Sequence, residues 1–218
     1  MKLEISQDKN NKADICGHVE HFLTDEEINN FYSLQTKQFQ PAQTRYRGID
    51  KSIRDCDRIA HCNVPSWLYD KLREVINLYN SKTYNFKIWA EQEAHQFNIV
   101  RYKEKGQFFT VHRDCRPSLQ HILFGKNMRK LSLSVQLTDS NEYGGGNLEV
   151  AESFTQVDIL ADTPNKMPEN KFRHKFKTMR KKGSLTIFTS FHQHESTPLE
   201  WGKRDVLVGF ISGEAQVW

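Results

Sequence analysis

The sequence lacks strong charge of either sign, long apolar runs and close cysteine pairs. Its 31 Lys+Arg stand against 27 Asp+Glu in 218 residues, a formal charge of +4. That is too mild to argue for a nucleic-acid partner. No segment approaches the ~20 apolar residues of a membrane span. The start, Met1-Lys2-Leu3-Glu4, has no apolar run, so no signal peptide is expected. None of the four cysteines, Cys16, Cys56, Cys62 and Cys115, forms a C-x-x-C pair. Neither a zinc knuckle nor a redox dithiol is therefore indicated. There is no internal repeat and no low-complexity segment. The length suits one domain, or one domain with a helical extension, and the expected compartment is the reducing cytoplasm.

Two helices are expected early. Thr24 reads as an N-cap with Glu27 as its capping-box partner, and Leu23 and Ile28 sit where a hydrophobic staple would form. Ile28, Phe31 and Tyr32 then share a face. A second helix starts near Ser66, with Leu68, Leu72, Val75, Ile76 and Tyr79 at helical spacing. That stripe reads as core, packed on the outer face of a sheet. Between the helices, residues 45–55 suggest two short strands joined by an exposed loop around 46–52, either a substrate lid or a plain hairpin connection.

From Gln96 the pattern turns to strands. Phe97 and Ile99 alternate with Gln96 and Asn98. Leu131, Leu133, Val135 and Leu137 alternate with Ser132, Ser134 and Gln136, a strict period of two. One face of that strand is apolar, and the other is small and polar, like the lining of a wet cavity. Tyr143-Gly144-Gly145-Gly146-Asn147 reads as a turn before a strand at Leu148–Val150. Strands are also expected at 185–188 and 206–211. Many short strands separated by turns point to a sandwich or barrel. The basic stretch from Lys171 to Lys177, continued by Arg180-Lys181-Lys182, reads as a solvated insertion or as a rim that attracts an acidic partner.

The residues that carry chemistry are His112-Arg113-Asp114. On a strand, positions two apart face the same way. Two imidazoles and one carboxylate on one face of a metal form a triad suited to Fe(II) with open positions for oxygen chemistry. The second histidine could be His192 or His194. The remaining histidines, including His95, His121 and His174, have no partner at metal spacing. Arg204 follows as a fixed positive fork of the kind a small dicarboxylate needs.

The context of these residues resembles a known family. Upstream run Tyr102, Gly106 and Phe109. Downstream, Gly183-Ser184-Leu185-Thr186-Ile187-Phe188-Thr189-Ser190 leads to His194, then Thr197-Pro198-Leu199, Gly202 and Arg204. In order and spacing this resembles the 2-oxoglutarate- and Fe(II)-dependent dioxygenases, specifically their prolyl 4-hydroxylase-like branch, over roughly residues 96 to 213. The resemblance selects His194 over His192 as the distal ligand and leaves His192 at the strand edge or pocket rim. It implies Fe(II) held by His112, Asp114 and His194, and 2-oxoglutarate held by Arg204 with Tyr102 in reach. Ser134, Gln136 and Thr186 are weaker candidates for the same pocket. O2 is the second co-substrate, and ascorbate is a further cofactor the resemblance suggests.

The implied fold is mainly β with N-terminal helices, built on a double-stranded β-helix of the jelly-roll or cupin kind. One domain, 1–218, is expected, with 1–95 as helical and strand support and 96–213 as catalytic core. The implied reaction hydroxylates an unactivated C–H as 2-oxoglutarate is converted to succinate and CO2. Asp114 argues against a halogenase, in which a small residue replaces the carboxylate. The first expectation for the substrate is a prolyl residue in a protein or peptide, because Ile53-Arg54 resembles the step that follows the substrate loop of prolyl hydroxylases. A small metabolite, lipid or nucleobase is the alternative. A non-catalytic jelly-roll binding module, or a zinc protein with the same ligands, is a third reading that the intact triad plus Arg204 disfavours.

Overall fold

The fold is described from a computed structural model, covering residues 2–7, 14–43, 48–115, 128–151 and 175–214. Strands β1 (Glu4–Gln7) and β2 (Asp14–Val19) precede helix α1 (Asp25–Ser33), and β3 (Gln40–Pro41), β4 (Arg54–Asp55) and β5 (Asp57–Ala60) lead to helix α2 (Ser66–Lys82). Then follow β6 (Gln96–Tyr102), β7 (Phe108–His112), β8 (Met128–Gln136), β9 (Tyr143–Gly145), β10 (Leu148–Ala151) and β11 (Lys175–Lys177). The chain closes with β12 (Leu185–Thr189), β13 (His194–Ser196), β14 (Leu199–Gly202) and β15 (Arg204–Gly213).

Two antiparallel sheets face each other. The major sheet runs β1-β2-β12-β8-β15-β6-β5-β3 and the minor sheet β11-β10-β13-β7-β4, with β14 and β9 forming a separate pair. This is the double-stranded β-helix expected from the sequence. The major sheet has two unlike faces because side chains alternate along each strand. Its outer face (Ile99, Leu131, Leu133, Val135, Ile187, Leu207 and Ile211) packs on α1 and α2 in the largest core cluster. The five stripe residues of α2 are all buried there. Such burial stabilises by roughly 1.5–3 kcal/mol per large apolar side chain. The Thr24 capping box forms as expected, with Glu27 N–H on Thr24 Oγ1 at 3.2 Å and Thr24 N–H on Glu27 Oε2 at 2.8 Å.

The expected pair of short strands around the loop at 46–52 does not form a hairpin. β3 joins β5 in the major sheet, whereas β4 joins β7 in the minor sheet. The chain crosses between sheets there, and part of the loop (44–47) lies outside the described residues. His121 and residues 171–174 of the basic stretch lie outside them too. Of the remainder of that stretch, Lys182 pairs with Asp25 at 2.8 Å, and Arg180 donates to the Tyr143 carbonyl at 2.9 Å.

Candidate active site

The inner face of the β-helix gathers the chemistry. His112 ends β7 and His194 begins β13, and the two residues lie opposite each other in the antiparallel ladder. Their rings approach to 4.3 Å between centroids. Asp114 lies two residues beyond the end of β7, in a bend. His112 and Asp114 therefore do not share a strand face as their spacing predicts, yet the bend turns the carboxylate inward. Asp114 Oδ2 is 3.2 Å from His194 Nε2, and Oδ1 is 3.6 Å from His112 Nε2. One donor atom from each residue falls within 4.8 Å of the others.

The hydrogen bonds behind the triad fix the tautomers. His112 Nδ1 lies 2.8 Å from the Thr110 carbonyl, and His194 Nδ1 lies 3.0 Å from the His192 carbonyl. A carbonyl only accepts, so each Nδ1 carries the proton, which leaves the Nε2 lone pair of a neutral ring free for a metal. Asp114 Oδ2 accepts from Ser132 Oγ at 2.7 Å, and Ser132 in turn meets Ser190 Oγ at 2.8 Å. Burial opposes charge on Asp114, but the two imidazoles outweigh it and hold the carboxyl well below its usual range. Burial, with His194 beside it, pushes His112 down to about 4. Asp114 outweighs burial at His194 and raises that ring above its ordinary value, so a metal would have to displace its proton. With both rings neutral, two imidazoles and one carboxylate make a donor set that fits a ferrous centre.

Arg204 begins β15 opposite Tyr102 at the end of β6. Its side chain is 1 % exposed. Nε donates to Gln136 Oε1 at 3.3 Å, and the guanidinium sits 5.7 Å from the Tyr102 ring centre. Nη1 has no hydrogen-bond partner, and Arg204 has no ion pair among the described residues. A buried cation with an empty donor is costly and calls for an anion. The turn Tyr143–Gly146 presses on its stem. Gly145 and Gly146 have φ of 67° and 57°, and a Cβ on Gly146 would stand 3.4 Å from Arg204 Cδ. Tyr143, read from sequence only as part of a turn, is 1 % exposed with an unpartnered hydroxyl.

Tyr102 links the two halves of the site. Burial pushes its hydroxyl up to about 12, and it meets the side chain of Ser196, which shares a face of β13 with His194. Residues two apart on a strand are roughly 6.6 Å apart, so Ser196 sets Tyr102, with Arg204 opposite it in the ladder, about one such step along from His194. Of the weaker candidates, Gln136 touches Arg204, and Thr186 Oγ1 is 3.2 Å from His18 Nδ1. His192 is not on the rim, because it is fully buried in the turn before β13. His95 is structural, its Nδ1 accepting from Ser212 N–H at 3.2 Å. Ser132 and Ser190, which steady Asp114, were read from sequence only as part of a polar strand face and of the run leading to His194, because their contact joins β8 to the turn after β12. A separate cleft of about 320 Å³ lies beside Tyr32, Arg101, Lys203 and Asp205 and excludes the triad.

A family model, the 2OG-Fe(II) oxygenase superfamily, matches residues 97–212. The chain belongs to that superfamily. The oxygenase therefore uses Fe(II), 2-oxoglutarate and O2. No curated protein matches it significantly in sequence. Among solved structures it is similar to a Pseudomonas putida prolyl-4-hydroxylase, with TM-score 0.59 and 16 % identity over 90 % of this chain and 91 % of that one. It is similar also to a Trichoplax adhaerens prolyl hydroxylase in complex with a hypoxia inducible factor peptide, with TM-score 0.61 and 16 % identity over 90 % and 82 %. A third likeness is to the non-heme alpha-ketoglutarate-dependent epimerase SnoN of nogalamycin biosynthesis, at TM-score 0.57 and 12 % identity over 92 % and 79 %. These identities speak to fold, and that one fold serves both hydroxylases and an epimerase. No helix among the described residues is long and apolar enough to cross a membrane.

Proposed function

We propose that the chain is a prolyl hydroxylase acting on a protein or peptide, with His112, Asp114 and His194 as the iron ligands and Arg204 and Tyr102 as the 2-oxoglutarate contacts. The observation that carries this reading is the pairing, on one inner face, of a His-Asp-His donor set with a buried arginine that has an unused donor. Iron with 2-oxoglutarate and O2 supplies the oxidising power to hydroxylate an unactivated C–H, with succinate and CO2 as by-products. The chain's own residues bind and orient. The Thr110 and His192 carbonyls hold the two imidazoles, and Ser132 holds the carboxylate. Arg204 offers the far carboxylate of 2-oxoglutarate a fixed fork that Lys cannot reproduce. Tyr102, kept protonated by burial, donates rather than acts as a base.

The prolyl reading draws on the hydroxylase neighbours and on the loop that enters β4. That loop exposes Ile49 at 55 % and runs straight into the strand paired with the His112 strand. A lid attached there would exclude water when substrate is present. Proline's fixed φ lowers the ordering cost of a bound peptide. We take residues 1–218 as one domain, with 1–95 as support and 96–213 as catalytic core, since α2 shares a core cluster with β8, β12 and β15. Four buried cysteines with no disulfide suit a reducing cytoplasm.

The test is succinate formation from 2-oxoglutarate with Fe(II), ascorbate and Pro-containing peptides, read together with mass spectrometry. A gain of one oxygen localised on proline is the expected result. Succinate coupled only to a non-peptide substrate would overturn the prolyl assignment.

A further inference from the structure

Three arginines crowd the mouth of this site, each from a different strand. Arg54 on β4 lies opposite Phe109 of β7, and its guanidinium sits 4.6 Å from the Phe109 ring centre. That ring stacks on His112 with centroids 3.6 Å apart. Arg129 on β8 sits 3.8 Å over the Phe210 ring and reaches the Asp114 carbonyl at 3.4 Å. Arg58 on β5 lies opposite Val100, whose side chain belongs to the inner cluster with Tyr102 and Val206. Directly opposed residues share a face, so Arg58 points inward as well.

The charges do not balance. Among the described residues the Arg58 side chain has no hydrogen bond and no ion pair, and the charged groups acting on it include Arg54 and Arg129, both repulsive. The neighbouring carboxylates are committed elsewhere, Asp55 to Lys51 at 3.5 Å and Asp57 to Lys103 at 2.8 Å. Inside the site the ledger already closes. A divalent iron, Asp114, Arg204 and a dianionic 2-oxoglutarate sum to zero. The three arginines at the mouth lie outside that sum, half-buried and close to one another, with Arg129 also donating to Gln96 Oε1 and Arg54 to Cys56 Sγ. Like charges gathered in a low-dielectric cleft focus a field on whatever enters, and guanidinium forks match carboxylate geometry.

We infer that Arg54, Arg58 and Arg129 form an anion subsite at the mouth, and that the substrate presents a carboxylate there, close to the carbon to be oxidised. This rests on the oxygenase reading above but not on proline as the target. The carboxylate has two sources, an acidic side chain flanking the target residue of a peptide, or the carboxylate of a free amino acid.

Matched pairs separate the sources. In one arm, a proline peptide flanked by glutamates is compared with its glutamine counterpart. In the other, L-proline is compared with L-prolinamide. Succinate release above the substrate-free rate is read for each. The charged peptide is also labelled and its binding to metal-free protein followed by fluorescence anisotropy. The charged member of at least one arm should exceed its neutral partner about ten-fold, the scale of one charge-assisted contact. Added salt should shrink that preference. Arg58→Gln should abolish it while leaving substrate-free succinate formation at the wild-type rate. Preference in the peptide arm assigns the subsite to a side chain, and preference in the other assigns it to a free acid.

Equal response to charged and neutral members in both arms, with 2-oxoglutarate still consumed, would overturn the subsite and spare the oxygenase reading. No succinate from 2-oxoglutarate under any condition would overturn the oxygenase reading instead. The salt-sensitive anisotropy of the acidic peptide would still decide the subsite. The wild-type comparison needs no variant, so misfolding of Arg58→Gln leaves the test intact.

Discussion

Arg204 and Asp205 are neighbours on β15 and face opposite sides of the major sheet, and the two sides treat charge differently. On the outer side, Asp205 receives Arg101 through two bonds, at 2.9 and 2.7 Å, and the Tyr32 hydroxyl at 2.9 Å. Its backbone N–H is satisfied by Thr138 Oγ1 at 2.9 Å. Both charges of that pair are satisfied within the chain, and the network ties α1 to the sheet. On the inner side, Arg204 is as deeply buried but leaves Nη1 empty. A complete network serves stability, because desolvated charges are tolerated only when paired. An incomplete one costs free energy in the empty protein that a ligand recovers on binding. The same contrast separates Asp57, paired to Lys103, from Arg58 beside it.

The largest effect expected on the inner side is at Asp114. On the proposed assignment, Asp114→Ala removes a ligand and its charge together. Even changes behind the ligands lower metal affinity by about 10–100-fold, so iron should fail to bind stoichiometrically while the fold persists. Metal analysis beside circular dichroism checks this, and an iron-replete active variant would refute the assignment. On the outer side, Asp205→Ala should cost about 3 kcal/mol of stability, since it strands a partner of a buried pair. Denaturant unfolding reads that loss, and 2-oxoglutarate affinity of the folded variant should match wild type.

A third effect concerns acid. Burial pushes His18 down to about 4, and its Nε2 has no partner. Above pH 6.5 both folded and unfolded chains hold this ring neutral. Between about 6.5 and 4 only the unfolded chain takes up the proton, so stability falls with acidification by roughly 1.4 kcal/mol per pH unit from this group. His18→Gln should flatten the slope in metal-free protein by that amount, and an unchanged slope would mean that His18 protonates freely in the fold. The smallest change expected is in Arg204→Leu. Removing a cation that lacks a counterion should leave the ligand-free protein within about 1 kcal/mol of wild type, or above it. A loss of several kcal/mol in thermal or denaturant melts would place Arg204 with the structural charges after all.

The sequence made legible whatever depends on local spacing. The Thr24 cap, the α2 stripe and the alternation of β8 follow from periods of 3.6 and 2, and each is present. The order His112, Asp114, His194, Arg204 was legible because a family pattern preserves it along the chain. Features made by distant segments stayed hidden. The switch from the major sheet at β3 to the minor sheet at β4 leaves no local signal, so the two strands flanking the loop at 46–52 looked like a pair joined by that loop rather than members of different sheets. The Ser132–Asp114–His194 contacts join three elements far apart in sequence. The basic run at 171–182 read as a solvated insertion or as a rim for an acidic partner, and of its residues Lys182 is engaged with Asp25 and Arg180 with the Tyr143 carbonyl. The mouth's positive charge comes instead from three isolated arginines that only the sheet registers bring together.

The most direct measurement is a calorimetric titration of 2-oxoglutarate into Fe(II)-loaded protein without oxygen, comparing wild type with Arg204→Lys. The wild-type protein should bind one equivalent. The variant should keep its iron and bind about 10–100-fold more weakly, the cost of losing a charge-assisted bidentate contact at about 1.5–3 kcal/mol. Equal affinity in the two proteins, or no binding by wild type, would contradict the claim that the unpaired inner arginine awaits the far carboxylate of 2-oxoglutarate.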